Sequence, residues 1–156
     1  MGGDVNDVEH GQELPIAELA ERFGSSDPKL LERAIKLGVV RPLGEGWVEE
    51  VSPRRPGPAA ELRDLGVPPE TSLEIVAKLR RAADGAAKAF VELYLEHVWK
   101  PFDEAGRPAD QWPTVQEGLE RLRPLADDAV LSVFRIAMDE RVERAYGEVF
   151  RKPTRK

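Results

Sequence analysis

The chain has 156 residues, no cysteine and only two histidines. Disulfides, thiolate metal sites and cysteine nucleophiles are therefore excluded. No apolar run approaches the ~20 residues of a spanning helix, and no signal-peptide h-region opens the chain. The expectation is a cytoplasmic protein with no membrane partner. An excess of basic charge is also lacking. Net charge is −6, whereas nucleic-acid domains draw most of their affinity from neutralising phosphates. Residues 1–58 are the more acidic part, with eleven Asp and Glu against seven Lys and Arg. With 41% hydrophobic and 33% charged residues, the chain reads as globular, one domain or two small ones sharing a core.

Residues 1–11 are acidic and without periodicity, and no Lys or Arg precedes Arg22. They read as a disordered leader. Residues 151–156 hold Arg151, Lys152, Arg155 and Lys156, a solvated basic tail. Between these ends the sequence divides into a lobe over 12–58 and a helical bundle over 59–150, with the Pro-rich, Arg54-Arg55 stretch at 52–58 as the boundary.

In the lobe, Ile16, Leu19, Ala20 and Phe23 line one face of a short helix that Gly24 ends. Asp27 offers an N-cap oxygen, Pro28 suits the first helical position, and Gly38 suits the position after Leu37. Val39–Leu43, a Gly44-Glu45-Gly46 turn and Trp47–Val51 follow as a two-stranded hairpin. Helix, turn, helix and hairpin in that order make a winged-helix-like lobe.

Residues 59–65 read as a short helix stopped by Gly66. Thr71 or Ser72 then caps a long helix ending near Trp99, before Pro101. Val76, Leu79, Ala83, Ala86, Phe90, Leu93 and His97 recur at steps of three and four, a continuous seam. Alanines at 82, 83, 86, 87 and 89 keep its middle narrow enough for a close helix approach. A connecting loop over 102–112 leads to a helix beginning at Thr114, with Val115, Leu119 and Leu122 inward. Pro124 starts or kinks the last helix, whose inward residues are Ala126, Ala129, Val133, Ile136 or Ala137, and Met138. Two long helices joined by so short a loop are expected to pack antiparallel, with stripes wide enough for each other and for a second copy of the chain. The predicted fold is mainly all-α, a small winged-helix-like lobe followed by an antiparallel helical bundle.

Little in the chain carries chemistry. No HExxH, His/Cys cluster, phosphate-cradling loop or nucleophile elbow is present, so neither catalytic nor metal-ligating residues nor a cofactor are expected. Two groups stand out as binding candidates. Phe90, Tyr94, His97, Trp99, Phe102 and Trp112 read either as an apolar ligand pocket between helices or as a core sealed by aromatics. Lys29, Arg33 and Lys36 share a face of the second lobe helix and, with Arg41 on the hairpin, could meet DNA phosphates. Glu45, Glu49 and Glu50 on the same hairpin are expected to repel them.

Five segments carry a family resemblance: ELPIAELAERFG (13–24), DPKLLERAIKLGVVRPLGEGWVEEVSPR (27–54), ELRDLGVPPE (61–70), FVELYLEHVWKPF (90–102) and LERLRPLADDAV (119–130). Their order and spacing resemble the C-terminal half of actinobacterial MerR-type transcriptional regulators. There a DNA-binding winged helix is followed by a second helix-turn-helix-like segment and a helical region. The family's readers are similar in an Arg-Tyr-Tyr-like triplet before the recognition helix ends; here Glu32-Arg33-Ala34 stand there. The family wing resembles Gly-Tyr-Arg-x-Tyr, against Gly46-Trp47-Val48-Glu49-Glu50 here. The long dimerisation helix that ends such proteins has no clear match. The resemblance implies a non-catalytic regulatory module, ligand-sensing or dimerising, without the N-terminal reader. Its expected partners are a second copy, a small apolar ligand, and DNA only weakly or through a domain outside this chain. The alternatives are a winged helix contacting phosphates through residues 28–37, or a protein-interaction adaptor.

Overall fold

A computed structural model describes residues 11–51 and 58–149. Residues 1–10 of the leader expected at 1–11, residues 52–57 of the linker expected at 52–58, and the basic tail at 151–156 lie outside the described residues; Gly11 itself bonds to Glu49. The protein is mainly helical with one small antiparallel sheet, the predicted class. It divides into two compact units, residues 1–82 and 83–156.

In the first unit the chain runs through β1 (Gln12–Pro15), α1 (Ile16–Phe23), α2 (Pro28–Lys36), β2 (Val40–Gly44), β3 (Trp47–Glu50), α3 (Pro58–Asp64) and the start of α4 (Pro69–Tyr94). The two lobe helices end as their sequences dictate. Gly24 closes α1 at φ 74°, a left-handed conformation that costs glycine little. The Asp27 side chain accepts from the Lys29 N–H at 3.0 Å and satisfies one of the orphan donors that open α2. In the hairpin, Glu45 and Gly46 both take positive φ, 53° and 81°, as a two-residue turn matched to strand twist requires.

The predicted two-stranded hairpin is a three-stranded sheet, ordered β1-β3-β2. β1 pairs antiparallel with β3, Leu14 facing Val48. Four residues containing a proline carry too little alternation to announce a strand. β1 exists because β3 offers it a free edge, and Pro42 on the opposite edge strand forfeits no interior bond. Leu14, Leu19, Ala34, Val40, Val48 and Leu73 form the core beneath this sheet.

Leu73 belongs to α4 and joins the lobe core, so the first compact unit includes the start of that helix. Two arginines bind the later helices to the lobe. Arg63 donates to the Glu21 carbonyl at the end of α1. Arg80 donates to the Leu37 carbonyl at the end of α2, at 3.3 Å. Both place a cation where the helix dipole is negative and carbonyls lack partners. α4 starts at Pro69, where a missing N–H costs nothing, so Thr71 and Ser72 fall inside it rather than capping it.

In the second unit α4 does not stop before Pro101. It passes into a π-turn, Leu95–Trp99, and on into α5 (Lys100–Glu104). The Lys100 N–H bonds to the Leu95 carbonyl five residues back. That wider turn admits the proline ring which an α-turn would drive into a carbonyl. Gly106, at φ 84°, ends α5, and a 3₁₀ turn at Ala109–Gln111 leads into α6 (Trp112–Glu148). The expected long connecting loop is thus largely helical. Of the two alternatives at Pro124, a new helix does not begin there: the proline lies inside one helix of 37 residues, about 55 Å long.

The core of this unit is small: Tyr94, Phe102 and Val115, with Val98, Trp99 and Leu122 packed against them. The expected mutual burial of the two long helices is confined to this end. Farther along α6, Leu119, Val133 and Ile136 are exposed.

Candidate functional site

Three surfaces have a claim to function. The first is α2 with the hairpin. Lys29 and Lys36 are exposed and Arg33 is half-buried. Among the described residues none of the three meets a carboxylate within ion-pair distance. Arg41 differs, because it is paired with Glu49.

The hairpin glutamates depart from expectation. Glu49 is 3% exposed and Glu50 8%. Glu49 also accepts from the Gly11 N–H at 2.9 Å. Glu50 meets Arg22 at 3.3 Å, and Arg22 reaches Gln12 at 2.9 Å and Glu18 at 3.2 Å. Two of the three acids expected to repel phosphate are therefore buried and neutralised within the lobe; Glu45 alone is exposed. The sequence pattern concealed this because β1, which covers them, was not legible. Arg41 is correspondingly committed to Glu49 rather than free to meet a phosphate.

The second surface is the aromatic group. Tyr94, Trp99, Phe102 and Trp112 come together: Phe102 lies 5.6 Å from Trp99 and 5.9 Å from Trp112, centroid to centroid, in tilted arrangements. The Tyr94 hydroxyl donates to the buried Val115 carbonyl at 2.7 Å. The Arg107 guanidinium sits 5.3 Å from the centre of the Trp99 ring, within cation–π range. His97 is exposed and Phe90 half-buried, and neither joins the buried cluster. The π-turn contributes to this, since it shifts the helical phase after Leu95. Two cavities among the described residues lie elsewhere, in the first unit. One of about 40 Å³ between α1 and α2 is lined by Leu19, Phe23, Leu30 and Ala34. The other, about 310 Å³ and open, lies among Glu18, Arg22, Arg63 and Asp64. The smaller is an order of magnitude below a usual ligand pocket of ~300–1,000 Å³.

The third surface is α6. Its residues Leu131, Val133, Phe134, Ile136, Met138 and Val142 are all between 46% and 65% exposed. The sequence reading places Val133, Ile136 or Ala137, and Met138 inward, on a stripe wide enough for a second copy as well, and does not include Leu131, Phe134 and Val142. Steps of three and four counted from Leu131 would have found them.

No group of metal-ligating residues is present among the described residues, and no described helix is long and apolar enough to cross a membrane. No known family model matches the chain, and no curated protein or solved structure matches it.

Proposed function

We propose that this chain is a non-catalytic regulatory module of a MerR-like transcriptional regulator, and that its second unit is an assembly surface. The observation that carries this reading is the uncovered apolar length of α6. Monomeric proteins rarely expose contiguous apolar patches beyond a few hundred Å². Here exposed large side chains recur from Leu119 to Val149. A surface of that kind needs a partner more than it needs a substrate. Sedimentation velocity across a wide concentration range tests it. A reversible rise in mass with concentration is expected, and a chain that stays monomeric throughout removes the reading.

A second reading is favoured by the hairpin. With Glu49 and Glu50 neutralised inside the lobe, α2 presents Lys29, Arg33 and Lys36 with less opposing charge than the composition implies. The proposal is weak phosphate contact by α2, without base reading. Fluorescence anisotropy of a mixed-sequence duplex checks this at low and then moderate salt. Binding that falls with salt and disappears in the Arg33→Glu, Lys36→Glu variant supports it. Salt-independent or unaltered binding rejects it.

A further inference from the structure

We draw no further inference here: the strongest candidate, the exposed apolar face of α6 through Leu131, Phe134, Met138 and Val142, carries nothing beyond the assembly reading above, because nothing in the structure shows what covers it.

Discussion

The two units handle apolar residues in opposite ways. The first closes a core within one chain: Leu14, Val48 and Leu73 are each 1% exposed, beneath a three-stranded sheet and three helices. The second places comparable side chains on two long helices and leaves most of them in water. The difference follows from topology. A strand pair and short capped helices fold back on themselves within tens of residues. In the second unit contacts gather at one end of a 37-residue helix, around Tyr94, Phe102 and Val115. The first unit is stable for what it encloses, and the second is informative for what it leaves uncovered.

The largest expected effect tests the closed side. Leu73→Ala removes the α4 side chain that enters the lobe core and should cost about 2–5 kcal/mol, measured by urea unfolding of the Trp47 signal. The same truncation at Val133 should cost under ~0.5 kcal/mol in dilute solution, where the side chain is already hydrated, and more as concentration rises. If both truncations cost the same at every concentration, the contrast between the units fails.

Gly11→Ala comes next. A Cβ at Gly11 would sit 1.9 Å from the Glu50 carbonyl oxygen, a backbone atom that cannot rotate away. Separation of β1 from β3 should follow at about 1–3 kcal/mol, together with exposure of Glu49 and Glu50. Amide exchange across β3 checks it. In the second unit, Tyr94→Phe removes the donor to the Val115 carbonyl. The expected cost is about 1–2 kcal/mol, read from a transition followed at Trp99 and Trp112 rather than at Trp47. Smallest is Asp27→Ala, which deletes the α2 cap for about 1 kcal/mol and should leave association unchanged.

Trp47 lies in the first unit and Trp99 and Trp112 in the second, so the three tryptophans separate the transitions. The midpoint followed by Trp47 is expected to be independent of protein concentration, and that followed by the other two to rise with it.

Much of the lobe was legible because its signals are local. Asp27 before Pro28, Gly24 and Gly38 after their helices, and Gly44-Glu45-Gly46 between strands each act within a few residues. β1 was not legible, because a four-residue strand containing Pro15 exists only by pairing with a segment more than thirty residues away. The burial of Glu49 and Glu50 depended on that pairing, and so did the corrected electrostatics of the hairpin. Of the aromatic group, Tyr94, Trp99, Phe102 and Trp112 converge as their spacing suggested. His97 falls away because a π-turn breaks the period on which its placement rested.

The sequence by itself determined the helices, their caps and the hairpin turn, since these follow from backbone sterics and from hydrogen bonds between near neighbours. Tertiary structure decided three things that local rules cannot reach. Leu73 of α4 joins the lobe core. Pro101 and Pro124 are absorbed into helices rather than ending them. The apolar faces of α6 remain open within one chain. Periodicity reports that a face is apolar. Whether that face is covered is not a local property, and on α6 side chains such as Val133 and Phe134 stay exposed.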